Sequence, residues 1–228
     1  MGRDAFYNLL RERGLMLRLK KRRTRTTYSD PYATFYPNLI KGMTVSAPNQ
    51  VWVSDITYIW TSSGFCYLFL ITDIYSHRIM GWVLSDSLKY KNAQDALEQA
   101  IEVAGCPLDG LIHHSDRGVQ YTSFAYMDLL ARHRMQVSRT EHGDPLENAV
   151  AERVNGILKQ EWLSLYTFQN EDDIRAVLEP AIQFYNTKRP HASNDWLTPE
   201  QAYARTGLLK RKWKNYYPMR DAQTTVCQ

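Results

Sequence analysis

Three acidic residues, Asp55, Asp116 and Glu152, stand in the chain where ligands of divalent cations would stand. Two-metal phosphodiester chemistry needs carboxylate oxygens converging on one point, because Mg2+ prefers hard oxygen donors and keeps positions open for water and phosphate. Asp55 interrupts the apolar run VWVSDITYI, where an isolated charge is costly unless paired or metal-bound. Asp116 follows the segment GLIHHS, at the carboxyl end of an expected strand, where loops commonly build sites. Glu152 falls in the first turn of a helix expected to start at Asn148. Thirty-five residues separate Asp116 from Glu152, room for a helix, a strand and a loop that folds back.

The elements around these residues are legible from periodicity. VWVSDITYI, CYLFLITDIY and HRIMGWVLS read as three successive antiparallel strands, with Ser62, Ser63 and Gly64 making the first connection. Residues 90–104 have a helical period and stop at Gly105, Cys106 and Pro107. GLIHHS is a fourth strand, residues 122–133 a second helix and MQVSR a short fifth strand. Residues 139–147 are polar and contain Gly-Asp-Pro, which predicts a mobile loop. Residues 148–166 and 171–187 are expected to be helical. This order predicts an α/β fold, a mixed five-stranded sheet flanked by helices, matching a ribonuclease H-like core.

Three segments then carry a family resemblance: NQVWVSDITYI, LIHHSDRGVQY and GDPLENAVAERVNGILKQE. Taken in order and with their spacing, they resemble bacterial insertion-sequence transposases, second-frame products with a retroviral-integrase-type catalytic core. The resemblance spans residues 1–204 and implies that Asp55, Asp116 and Glu152 are the catalytic, metal-binding triad of a polynucleotidyl transferase. It further implies two Mg2+ ions, with Mn2+ able to substitute, and a reaction that cleaves DNA and transfers strands of a mobile element. Lys159 matches a basic family position that contacts DNA. Seven residues after Glu152, it is expected on the same helix face as Glu152, Asn148 and Asn155. Asn155 is accordingly counted with the DNA contacts. The closing motif FYNTKRPHASNDWLTPEQAY offers Arg189 and His191 as DNA contacts or as docking residues. Asp73 matches the family pattern but reads as part of a strand and turn, and His113 and His114 read as hydrogen-bonded groups beside the site.

Charge is distributed to suit a phosphate-binding partner. The net charge is +4, yet residues 1–28 hold nine basic side chains against two acidic ones, and residues 205–220 hold six basic and no acidic ones. Basic ends on an acidic-leaning body give phosphate affinity without a uniformly cationic surface. Lys20, Lys21, Arg22 and Arg23 are the expected holders of flanking DNA. The expected organisation is a basic helical N-terminal arm and partial DNA-binding module at 1–28, an extended linker at 29–50, the core at 51–204 and a basic tail at 205–228.

Cys66, Cys106 and Cys227 are widely spaced, with no CxxC pair to suggest zinc. The absence of a long apolar run or an export leader predicts a cytoplasmic, nucleoid-associated protein without membrane contact. The expected partners are double-stranded DNA, both element ends and target, and further copies of the chain on that DNA. The short N-terminus adds an upstream-frame DNA-binding protein. Two other readings use the same residues: a ribonuclease H-type nuclease that does not join ends, and a domesticated transposase-derived DNA-binding protein.

Overall fold

The computed structural model describes residues 2–15, 36–140 and 148–210. Lys20, Lys21, Arg22, Arg23, most of the Gly-Asp-Pro loop and the tail beyond Lys210 lie outside the described residues. At the N-terminus, α1 (Arg3–Glu12) buries none of its residues.

The core is one sheet built from β1 (Val51–Thr61), β2 (Gly64–Asp73), β3 (Ile79–Ser85), β4 (Ile112–Ser115) and β5 (Gln136–Arg139), in the order β3-β2-β1-β4-β5. The first three strands form an antiparallel meander, while β4 and β5 run parallel to β1. The parallel strands arrive through helical crossovers: α2 (Tyr90–Ala104) leads to β4, and α3 (Phe124–Arg132) to β5. Next comes α4 (Ala149–Ile157), continued by a π turn at Leu158–Trp162 and a 3-10 turn at Leu163–Leu165. The chain closes with α5 (Glu171–Thr187) and the short α6 (Pro199–Tyr203).

Both sheet faces are covered, so β4 (IHHS) is buried throughout even though three of its four residues are polar. The period of two still shows in how each strand divides its side chains. Phe69 and Ile71 point to one core with Trp52, Ala93, Leu97, Tyr126 and Leu130. Leu68 and Leu70 point to the other with Ile157, Leu158, Ile174, Leu178 and Tyr185. Each fully buried leucine or phenylalanine contributes roughly 1.5–3 kcal/mol. Helix α2 lies unusually close to β3: a Cβ on Gly81 would fall 2.1 Å from the carbonyl oxygen of Ala96. Alanines 93, 96 and 100 keep that approach open.

Gly105 ends α2 with φ 59°, the left-handed cap expected of a glycine there. Ser123 caps α3, accepting from the Tyr126 N–H, and a separate 3-10 turn occupies Val119–Thr122, so this helix begins two residues later than expected. The expected helix 148–166 is also broken, its α phase ending at Ile157. Residues 37–39 lie beside β5, where Leu39 N donates to Ser138 Oγ (2.9 Å) and Arg139 N to the Pro37 carbonyl. Cys66 is buried and Cys106 exposed, both as free thiols. Among the described residues no helix is long and apolar enough to cross a membrane.

Candidate active site

Strand register brings the first two aspartates together. The parallel β1–β4 ladder ends with Ser54 opposite Ser115, and the residue that follows each is an aspartate, Asp55 still on β1 and Asp116 just beyond β4. Neighbouring strands lie about 4.8 Å apart, and residues at the same level of a ladder share a face. Asp55 pairs with Leu70, whose side chain enters the α4–α5 core, so Asp55 faces α4. There Asn155 Nδ2 donates to Asp55 Oδ2 at 2.7 Å. Asp116 closes a tight turn, its Oδ1 accepting the Gly118 N–H at 2.9 Å. Glycine leaves this carboxylate its place, because a Cβ on residue 118 would stand 2.9 Å from the same oxygen.

Both carboxylates are half-buried, open on one side and crowded by protein on the others. Burial, then the like charge of Asp116, pushes the Asp55 carboxyl up to about 7, against the hydrogen bonds from Asn155 and the Ile56 backbone. The like charge of Glu152 acts in the same upward direction and is the smallest of these influences. Burial also raises Asp116, opposed by the Gly118 N–H and the positive charge of Arg139. The hydrogen bonds named come from an amide and peptide groups, and they leave the cost of burying two negative charges uncompensated. Adjacent hard oxygen donors with unbalanced charge fit Mg2+. Among the described residues no three carboxylate, imidazole or thiol side chains converge tightly enough to hold an ion as they stand. Glu152 sits exposed in the first turn of α4.

A buried polar layer supports the aspartates. His113 Nε2 meets Ser54 Oγ at 2.7 Å and the Tyr126 hydroxyl at 2.8 Å. Burial, followed by His114 and Arg139, lowers the His113 pKa to about 3, so the ring is neutral. His114 Nδ1 pairs with Ser138 Oγ at 2.8 Å. Asn148 Nδ2 donates to the Ser54 carbonyl at 3.1 Å, tying the start of α4 to β1 one residue before Asp55. Both histidines therefore belong to the sheet interior, as hydrogen-bonded groups.

Sequence reasoning missed Arg139. It is 3% exposed, its Nη2 donates to the Tyr121 carbonyl at 3.0 Å, and its guanidinium lies 5.1 Å from the centre of the Tyr36 ring. Its Nε and Nη1 have no hydrogen-bond partner among the described residues. The signal in the sequence is faint: an arginine at the end of the short, mostly polar strand QVSR.

The remaining candidates divide. Lys159 is half-buried in the π turn. Asn155 is 4% exposed and turned toward Asp55, which corrects the expectation of an outward DNA contact. Asn148 and Asn155 lie in the interior while Glu152 is exposed, so the four residues do not form one outward face. The reason is that Asn148 and Asn155 flank the α4 stripe of Ala151 and Val154 that packs on the sheet. Arg189 is committed to Glu161 through two hydrogen bonds, at 2.7 and 2.6 Å. His191 is buried, stacked on His77 with ring centroids 5.8 Å apart, and edge-on to Tyr185. Burial, then His77, lowers its pKa to about 3. For both residues the geometry is that of docking rather than of DNA contact. Asp73 is a turn residue: Ser76 N, Ser76 Oγ and Asn49 N all donate to its carboxylate.

Comparisons with known proteins agree with this architecture. The chain matches an integrase core domain family over residues 45–145 and a second family of the same description over residues 133–199. It is 35% identical over 201 residues to the insertion element IS600 uncharacterized 31 kDa protein of Shigella sonnei, covering 87% of this chain and 74% of that protein. It is 33% identical over 195 residues to a putative transposase for insertion sequence element IS986/IS6110 of Mycobacterium tuberculosis, covering 83% of this chain and 70% of the relative. The fold resembles the HTLV-2 integrase catalytic core domain, solved in complex with magnesium in a dimeric form. That likeness has a TM-score of 0.55 at 20% identity over 69% of this chain and 97% of the other. A simian T-cell lymphotropic virus intasome gives a TM-score of 0.62 at 20% identity, over 83% and 66% of the two chains.

Proposed function

Because the chain belongs to the family of bacterial insertion-sequence transposases with an integrase core, we propose that Asp55, Asp116 and Glu152 are its catalytic triad. In this reading the triad holds two Mg2+ ions, and the protein cuts DNA at the ends of a mobile element and joins them to a target. The observation that carries the reading is the register of β1 and β4, which brings two half-buried aspartates together at the strand ends, Asp55 on the face toward α4.

When bound, the ions polarise the attacking oxygen and offset charge on the departing one. The protein's own groups orient and exclude. Asn155 and the Gly118 N–H set the planes of the two aspartates. The Ser54–His113–Tyr126 network holds the strand ends beneath them without adding charge. Glu152 completes the set from α4. In cleavage, water oxygen attacks phosphorus, the P–O3′ bond breaks and the departing oxygen takes a proton, leaving a 3′-hydroxyl and a 5′-phosphate. In transfer, that 3′-hydroxyl attacks a target phosphorus and the target's own 3′ oxygen leaves. A protein–DNA covalent intermediate is not part of this scheme. Tyr121, which senses both aspartates, is buried with its phenol well above the ordinary value, the opposite of an activated nucleophile.

Residues 51–204 form the catalytic core in this proposal, and Lys159 contacts DNA phosphate. The arm at 1–28 and the tail from 205 hold flanking DNA. Several copies of the chain assemble on the two ends, with an upstream-frame protein assisting their recognition. The test is Asp116→Asn, assayed with a 3′-hydroxyl donor duplex and a target duplex: joining is lost while DNA binding persists. Wild-type joining by this variant would refute the triad. Cleavage without joined product by the unmodified protein would assign the nuclease reading, and binding without either reaction the domesticated one.

A further inference from the structure

The chain after α4 is held in an unusual form by the end of α5. Leu158–Trp162 is a π turn, whose i to i+5 bonding is rare and needs support from outside the helix. Arg189, 28 residues away in sequence, supplies it: Nε donates to Glu161 Oε2 at 2.7 Å and Nη2 to Oε1 at 2.6 Å. This is the planar two-bond geometry that gives arginine–carboxylate pairs their directionality. The Arg189 backbone N–H is itself fixed to the Phe184 carbonyl at 3.0 Å. The Trp162 ring meets the Phe184 ring edge-on at 6.0 Å, and Leu158 and Leu163 bury the two ends of the turn. Both charged partners are half-buried, so solvent competes only partly for them. The third group beside Arg189, His191 Nε2 at 3.3 Å, belongs to a neutral ring.

Lys159 lies inside this turn, two residues before Glu161. A π turn changes the phase of the residues it contains relative to the α-helix before it, so whatever fixes the turn fixes the direction of Lys159 relative to Glu152. We infer that Glu161 and Arg189 are positioning residues: their ion pair locks the π turn and thereby aims Lys159 at a DNA phosphate. The inference rests on the proposed role of Lys159 as a DNA contact. It assigns Arg189, a residue of the RPH segment, to the protein interior rather than to the DNA.

The test uses the full chain and a fluorescein-labelled random-sequence duplex, because phosphate contacts are independent of sequence. Binding is measured against salt for Lys159→Ala, Glu161→Gln, Arg189→Lys, the charge exchange Glu161→Arg with Arg189→Glu, and Lys159→Ala with Glu161→Gln. Lys159→Ala is expected to reduce the slope of log K against log salt by about one. Glu161→Gln, isosteric and half-exposed, reduces it by the same amount with thermal unfolding little changed. It adds nothing when Lys159 is already alanine. Arg189→Lys gives a partial loss, and the charge exchange restores most of the slope, which a direct Arg189–DNA contact would not do. A slope unaffected by Lys159→Ala refutes the role of Lys159 and the inference with it. A Lys159 effect without a Glu161 effect, additive losses, or no restoration by the exchange overturns the inference alone.

Discussion

Gly118→Ala separates the geometry of the site from the stability of the fold, and its outcome can be worked from distances. Gly118 has φ −61° and ψ 137°, a conformation open to any residue. At such a position alanine by itself stabilises by about 0.4–1 kcal/mol, through a less flexible unfolded chain. The new Cβ would stand 3.1 Å from Gln120 Oε1 and 2.9 Å from Asp116 Oδ1. Gln120 is a long side chain anchored to the Leu88 carbonyl at 3.2 Å and can give way. Asp116 has no such slack, since its Oδ1 is held by the N–H of residue 118 itself. Ordinary contact begins near 3.4 Å, so the carboxylate must retreat by about half an ångström. That stretches a charge-assisted hydrogen bond worth roughly 1.5–3 kcal/mol, removing about 1 kcal/mol of it. The two stability effects nearly cancel, and the thermal midpoint should stay within about 3 °C of wild type. Catalysis should not be spared: a misplacement of about 1 Å can cost about a hundredfold, so half that distance predicts a loss of roughly tenfold. Strand transfer and thermal unfolding of one preparation measure both quantities. A stable variant with wild-type transfer would refute the claim that the Gly118 turn places Asp116 for chemistry.

The raised pKa of Asp55 has a consequence for folding. Between about pH 4 and pH 7 the folded chain keeps a proton that the unfolded chain has lost, so stability falls as pH rises through that window. Without divalent metal, Asp55→Asn should raise stability at pH 8 by on the order of 2 kcal/mol, allowing for the open side of the site, and leave it unchanged at pH 4. An equal gain at both pH values would mean that the carboxylate is not the source. Arg139→Met fills the same volume without charge and should keep stability within about 1 kcal/mol, since a buried cation costs nearly what it contributes. It should also shift the pH profile of strand transfer toward alkaline values, because Arg139 opposes the rise of the Asp116 pKa; an unshifted profile would leave Arg139 a packing role. Gly81→Ala drives a Cβ into the backbone of α2, 2.1 Å from Ala96 O and 2.8 Å from Ala100 N. A loss of about 3 kcal/mol is expected in denaturant unfolding, and a loss below about 1 kcal/mol would show that α2 can move away.

Much of this protein is written locally. The β-rich runs VWVSDITYI and CYLFLITDIY, the helical period of 90–104 with its terminal glycine, and the order of three carboxylates are properties of short windows. The backbone and side-chain preferences of those windows survive folding unchanged, which is why β1, β2, α2 and the crossover order match their expectation. The turn role of Asp73 was equally legible, because its partners Ser76 and Asn49 lie near it or at the strand entrance.

The other features depend on contacts between distant segments. Helix periodicity alone put Glu152, Asn155 and Lys159 on one face, but Asn155 turns inward because β1 offers it a carboxylate 100 residues away. The helix 148–166 changes form at Leu158, where Glu161 meets Arg189, a partner that no window of the sequence contains. Arg139 acquires meaning only when Tyr36, Tyr121 and Asp116 gather around it. By itself, then, the sequence determined which strands and helices form and which acids could hold a cation. The parallel register of β1 on β4 decided that Asp55 and Asp116 lie side by side, partly withdrawn from water and short of positive charge. That is a tertiary outcome, because desolvation and like-charge repulsion exist only once both strands are paired and covered.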